Sequence, residues 1–286
     1  MNMRHLRIAL LIFFCITAAV FAFFRIRERM NSDNVPPVIH AESDTLEVPV
    51  SATDEDLLSG MTARDNLDGD VTDTLVVVSR GKFVTPGTLH VKYAAFDNNR
   101  NVGTYTREVT YTDYVSPHFS MDTPLRFAAA GSSPDYLAHI TARDCLDGNI
   151  TQQIKITMGG KIVVSDSVTK QKMNVQVTNS CGDSAVLELT VSMEDYSTLN
   201  RPAPALKDYI LYVREGGSLD LRGNISGVWM SGSVKGFAES GFDSADVSIY
   251  DGGLNLRVPG VYTVTYRLSH DGVAMGSAEL IVVVEG

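Results

Sequence analysis

Thr62-Ala63-Arg64-Asp65-Asn66-Leu67-Asp68-Gly69-Asp70-Val71-Thr72 returns 79 residues later as Thr141-Ala142-Arg143-Asp144-Cys145-Leu146-Asp147-Gly148-Asn149-Ile150-Thr151, with eight of eleven positions identical. Agreement of this kind at a fixed offset marks a duplicated structural unit. The entry segment Val35-Pro36-Pro37 is echoed by Val115-Ser116-Pro117, so the first two units span 36–114 and 115–197. A second echo, Pro86-Gly87-Thr88-Leu89-His90-Val91-Lys92-Tyr93 against Pro259-Gly260-Val261-Tyr262-Thr263-Val264-Thr265-Tyr266, ties a third unit at 203–286 to the first. A linker at 198–202 carries Arg201-Pro202. Each Pro-Gly pair is a turn that feeds an alternating strand. Leu46 to Val50 and Tyr105 to Tyr111 alternate as well, and Leu75 to Val78 is a short apolar run suited to a buried strand. Amphipathic helical stretches of useful length are missing after residue 29. The expected fold class is therefore all-β, with three tandem Ig-like β-sandwich domains following an N-terminal transmembrane helix.

The first unit resembles the bacterial surface immunoglobulin-like repeat family, an Ig-like module also found in pesticidal crystal proteins. The resemblance rests on Asp65 to Thr72, on Pro86 to Tyr93, on the hairpin Ala95-Phe96-Asp97-Asn98-Asn99-Arg100-Asn101, and on Thr104 to Tyr111. Arg100 stands where that family prefers glycine. The second unit keeps the Asp-rich motif and the third keeps the Pro-Gly strand alone. The resemblance implies an extracytoplasmic spacer or adhesion module without catalytic activity.

Residues 1–29 hold five arginines and one acid around an uncharged run, Ile8 to Phe24. Seventeen residues at about 1.5 Å each span roughly 26 Å, near the lower limit for a bilayer crossing. Val20-Phe21-Ala22 fits a weak signal-peptidase site, but Phe23 and Phe24 prolong the apolar run and Arg25-Ile26-Arg27 ends it abruptly, as an anchor would. The segment 1–29 is read as a signal anchor, with 30–35 as a linker. Two arginines before the helix and three after it do not favour an outside C-terminus; the β-rich units do. Without residues 1–29 the chain holds 19 basic and 33 acidic residues, and the net charge moves from -10 to -14. That balance excludes a phosphate-backbone binder, and nucleic acid is not expected as a partner.

An Ig-like sandwich brings the turn after its second strand and its last hairpin to one pole. Asp65, Asp68 and Asp70 would then approach Asp97 and Asn99. These oxygens are a ligand set for a hard cation such as calcium, and equally a set of turn-forming acceptors. The spacing is not that of an EF-hand. Cys145 and Cys181 fall at the same pole of the second unit and are expected to form a disulfide, against the alternative of two separate thiols. Cys15 lies in the apolar helix. In the third unit the glycine-rich segment 223–244 carries Trp229, Phe237 and Phe242, a ligand or partner surface or else a core Trp with an ordinary loop.

Enzyme signatures are missing. Ser167-Val168-Thr169-Lys170 matches a Ser-x-x-Lys pattern without its companions, and the histidines pair with no nucleophile or zinc spacing. No catalytic residue and no obligatory cofactor are expected. The expected function is non-enzymatic: a single-pass, membrane-anchored bacterial surface or envelope protein with an Ig-like stalk for adhesion to a protein or glycan. The alternatives are a glycan or cell-wall-polymer binding module through the third domain, and a structural subunit of an envelope or secretion assembly.

Overall fold

The computed structural model describes residues 3–31, 34–130, 134–165, 167–230 and 232–286. Ser32 and Asp33 of the 30–35 linker lie outside the described residues. The protein is all-β, with 51% strand, after one apolar helix, α1 (Met3–Asn31). Within α1, Arg7–Arg27 is long and apolar enough to cross a membrane. Its one hydroxyl is returned to the backbone: Thr17 Oγ1 lies 3.0 and 2.9 Å from the carbonyls of Phe13 and Phe14. This pairing lets a threonine sit in an apolar helix without an unmet polar group.

Two compact units make up the chain, 1–113 and 114–286. In the first, β1 (Val38–Ala41), β3 (Met61–Asp65) and β4 (Gly69–Asp70) form one sheet. The second sheet runs β2-β7-β6-β5, from β2 (Thr45–Val48), β5 (Val76–Thr85), β6 (Thr88–Phe96) and β7 (Val102–Tyr111). β6 is central and alternates, so Leu89, Val91 and Tyr93 are fully buried, as are Ala63 and Leu57. The Tyr93 hydroxyl donates to the Leu57 carbonyl at 3.1 Å, which lets a phenol enter the core. Leu57 closes α2 (Asp54–Leu57), a single turn held by a capping box between Thr53 and Asp56.

The second unit contains two more sandwiches. One pairs β8 (His118–Met121), β10 (Ile140–Asp144) and β11 (Gly148–Asn149) against the sheet β12-β13-β14-β9. The strands of that sheet are β9 (Arg126–Ala128), β12 (Lys155–Ser165), β13 (Val168–Thr178) and β14 (Ser184–Glu194). The other pairs β15 (Ala203–Leu206), β17 (Ile225–Met230) and β18 (Ser233–Lys235) against β16-β21-β20-β19. Here the strands are β16 (Ile210–Arg214), β19 (Val247–Tyr250), β20 (Gly260–His270) and β21 (Val273–Glu285). A single turn, α3 (Tyr196–Leu199), joins the two sandwiches.

All three sandwiches share one connectivity. An early strand runs parallel to the last strand, β2 with β7, β9 with β14 and β16 with β21, and every other sheet pairing is antiparallel. Within the second unit the two sandwiches share one apolar core, from Phe119 and Met173 through Tyr209 to Tyr266 and Val282. Polar contacts lock them as well. The His118 ring stacks on Tyr212 with centroids 3.7 Å apart. The Tyr212 hydroxyl accepts the Phe119 N–H at 2.9 Å, and Tyr209 N–H donates to Met121 O at 3.1 Å. The segment 203–286 is thus packed into its neighbour and not strung beside it.

Candidate functional site

The repeated motif builds the same pole twice. β3 and β10 bury alternate residues in the same pattern, so Ala63 and Asp65, or Ala142 and Asp144, point inward. Asp65 Oδ1 accepts the N–H groups of Leu67 and Asp68 at 2.8 and 2.9 Å; Asp144 Oδ1 accepts those of Leu146 and Asp147, each at 2.9 Å. Gly69 and Gly148 turn the chain with φ of 77° and 70°, a region open chiefly to glycine. Thr72 and Thr151 each take a backbone N–H, from Ala63 and Ala142, at 3.0 Å. Every residue shared by the two copies of this turn has a role in closing it, apart from the first threonine, the arginine and the leucine.

The last hairpin then comes down on the turn. In the first unit the Asn98 N–H and side-chain amide donate to Asp68 at 2.9 and 2.7 Å. Asn101 donates to Asp97 through its backbone at 2.7 Å and its amide at 2.5 Å. Asp65, Asp68 and Asp97 offer carboxylate oxygens within 4.8 Å of one another, and Asp65 and Asp97 are buried. The other two expected ligands stand apart from this cluster. Asp70 accepts the Thr72 N–H at 3.1 Å, and the Thr72 hydrogen bonds hold its carboxyl below the usual range. Asn99 is exposed at the hairpin tip. The hairpin amides that meet the carboxylates are those of Asn98 and Asn101, because the four-residue turn closes with Arg100 N–H on Asp97 O. Arg100 takes the left-handed φ of 68° that glycine would adopt more cheaply.

In the second unit the roles of acid and amide are exchanged. Asn179 replaces Asp97 and Asp183 replaces Asn101. The buried Asn179 amide donates to Asp144 Oδ2 at 3.2 Å and to the Tyr114 hydroxyl at 2.8 Å, while Asn179 Oδ1 accepts the Asp183 N–H at 2.9 Å. Tyr114 in turn donates to Asp183 at 2.8 Å. Burial, followed by that acceptor, raises the phenol far above its ordinary pKa. Ser180 donates to Asp147 through N–H and hydroxyl at 2.5 and 2.7 Å. No bond joins Cys145 to Cys181. Cys145 Sγ instead donates to Val115 O at 3.1 Å, and the polar contacts above hold the pole where a disulfide was expected.

Among the described residues of 223–244, β17, β18 and a short helix replace an irregular loop. Phe237 opens a one-turn helix, α4 (Phe237–Ser240), ended by Gly241 at φ 77°. Phe237 and Phe242 pack against the core. Phe242 also meets the His270 ring edge-on at 5.3 Å, and His270 is bound to Asp246 at 3.0 Å, a hydrogen bond that raises the imidazole pKa. Trp229 is half-buried on β17, flanked by Ala203 and Val234.

No known protein-family profile matches the chain. A curated relative, an uncharacterized 81.3 kDa protein of Acholeplasma phage L2, is 24% identical over 169 residues, which is 56% of this chain and 22% of that protein. The chain thus spans about a fifth of the length of that relative. Among solved structures, the Drosophila N-cadherin EC1-3 region aligns with 72% of this chain and 80% of its own at 14% identity and a TM-score of 0.28. The M60 catalytic domain with the CBM51 domains of Clostridium perfringens ZmpB aligns with 88% of this chain and 31% of its own, at 11% identity and a TM-score of 0.22.

Proposed function

We propose that this protein is a non-enzymatic, membrane-anchored surface or envelope protein, related to the bacterial surface Ig-like repeats, whose acidic β-sandwiches stand outside the cytoplasm and make adhesive or protein contacts. One observation carries the reading: a 21-residue apolar span, Arg7–Arg27, precedes units that are β-sandwich throughout. The excess of acid over base beyond residue 29 suits a solvated stalk. Cys145 is exposed and gives a built-in reporter of side. In intact cells a membrane-impermeant maleimide is expected to label the wild-type chain, and Cys145→Ser to lose most of the label. The chain is expected to stay in the pellet after alkaline carbonate extraction. Labelling only after lysis, or release by carbonate, overturns the reading.

The assembly alternative is favoured by one feature. β12 is the edge of its sheet and exposes Ile162, Val163 and Val164 at 58%, 74% and 57%. An apolar edge of this kind is a template for strand addition. Val163→Lys should abolish any self-association seen by analytical ultracentrifugation; a strictly monomeric wild type removes this alternative.

A further inference from the structure

The second unit holds a cavity of about 440 Å³ that the repeat pattern does not require. It lies where β13 and β14 of one sandwich face β20 and β21 of the next, with α3 and the residues after it at its border. Clefts between packed domains are favoured places for small ligands. Met121, Leu125, Leu189, Leu268, Met275 and Ile281 supply an apolar part of the lining.

The charged part is not balanced. Arg126 makes a two-pronged ion pair with Glu194 at 2.9 and 2.6 Å and also donates to Thr198 O at 3.2 Å. Burial alone would raise the Glu194 pKa, but the Arg126 hydrogen bonds and charge overcome this and hold it below the usual value. Lys170 pairs with Glu279 across the cleft at 2.8 Å. Those two cations are matched. Arg201 and Arg267 also line the cleft and make no ion pair among the described residues. The Arg267 guanidinium lies over the Tyr250 ring at 4.6 Å, an arrangement that uses its face and leaves its N–H edge available. Ser192 adds a buried hydroxyl on the lining that has no hydrogen-bond partner of ordinary geometry, although it helps to keep Glu194 ionised. A buried hydroxyl without a partner of ordinary geometry is uncommon.

We infer that this cleft binds a small anion carried on an apolar body, its carboxylate or similar group between Arg201 and Arg267 and its hydrocarbon part against the methionine and leucine lining. The inference is independent of where the chain sits in the cell.

The test uses the full chain in lipid nanodiscs, with empty nanodiscs as reference. The probes are 1-naphthoate, the neutral 1-naphthamide and 1-naphthylmethylammonium, followed by isothermal titration. One saturable site is expected for naphthoate. Its affinity should exceed that of the amide by at least about tenfold, the size of one charge-assisted hydrogen bond, with no measurable binding of the ammonium. Arg201→Glu with Arg267→Glu, both at exposed positions, should weaken naphthoate by at least about tenfold at an unchanged melting temperature. Ser277→Trp, which fills the cleft from its rim, should remove binding altogether. Equal binding of the three probes, no saturable naphthoate site, or full affinity in the double-glutamate variant overturns the inference.

Discussion

The two acidic poles begin from nearly the same eleven residues and close in opposite ways. In the first, a carboxylate at Asp97 is clamped by the amide of Asn101. In the second, the amide of Asn179 is set between Asp144 and Tyr114, and the acid has moved four residues on to Asp183. In both poles the last hairpin donates to the second aspartate of the turn, Asn98 to Asp68 and Ser180 to Asp147, while the acid and amide at the hairpin's own ends trade places. Each pole keeps three carboxylates, Asp65, Asp68 and Asp97 in the first and Asp144, Asp147 and Asp183 in the second, so the pairing changes while the number does not.

The sharpest way to break this equivalence is Asn179→Asp. It removes the donor to Asp144 and adds a fourth carboxylate to a partly buried cluster. A loss of about 3 kcal/mol in the second unit is expected, in the range for an uncompensated buried charge. Adding Asp183→Asn recreates the order of the first pole and should recover more than half of that loss, read by urea denaturation as a double-mutant cycle.

High pH should separate the units next. In the second unit, burial raises Tyr212 and Tyr266 to about 12, and Tyr114 and Tyr209 also stand above the ordinary phenol. Each of these groups favours the protonated, folded state. Their stabilisation is complete below about pH 10, where an unfolded tyrosine begins to ionise, and is lost as pH rises towards the folded values. In the first unit, Tyr93 and Tyr105 show such a rise, and Tyr105 is at the surface. The melting transition of the second unit should therefore fall by several degrees more between pH 10 and 12.

A smaller effect comes from the hairpin tips. Arg100 at φ 68° corresponds to Gly182 at φ 93°. Arg100→Gly should stabilise the first unit, and Gly182→Arg should destabilise the second, each by about 1 kcal/mol in thermal melts. Calcium should give the smallest response. Three carboxylates lie together at the first pole, but each already accepts N–H groups, so millimolar calcium is expected to raise that transition by about 1–2 °C and leave the other unmoved. An unshifted first transition assigns the cluster to turn chemistry alone.

Much of the pole was legible in sequence because turn residues act locally. Asp65, Gly69 and Thr72 bond to neighbours within nine positions, so their spacing carries their roles. The meeting of Asp68 with the last hairpin followed from the sandwich pattern, but the choice of Asn98 and Asn101 over Asn99 depended on the turn geometry around Arg100. The third sandwich shares the strand connectivity of the others although it retains only the Pro-Gly strand, because alternating burial and not turn identity is what its sheets require. The docking of 203–286 onto its neighbour left no periodic signal. His118, Tyr209 and Tyr212 are single residues on different strands, and only the fold brings them together. The cleft lined by Arg201 and Arg267 was illegible for the same reason.

The parallel pairing of an early strand with the last strand has a further consequence. In the first sandwich the chain enters through β1, paired with β3, then passes to β2 and leaves from β7; β2 and β7 point the same way in register from Thr45 opposite Glu108 to Val48 opposite Tyr111. Once β1 is drawn off β3, tension between the two ends of that sandwich slides β2 along β7, so the hydrogen bonds of this ladder are loaded together and do not peel in succession. A protein held at one end in a lipid bilayer and pulled at the other would meet its resistance there, in a few backbone rungs and not in the apolar core.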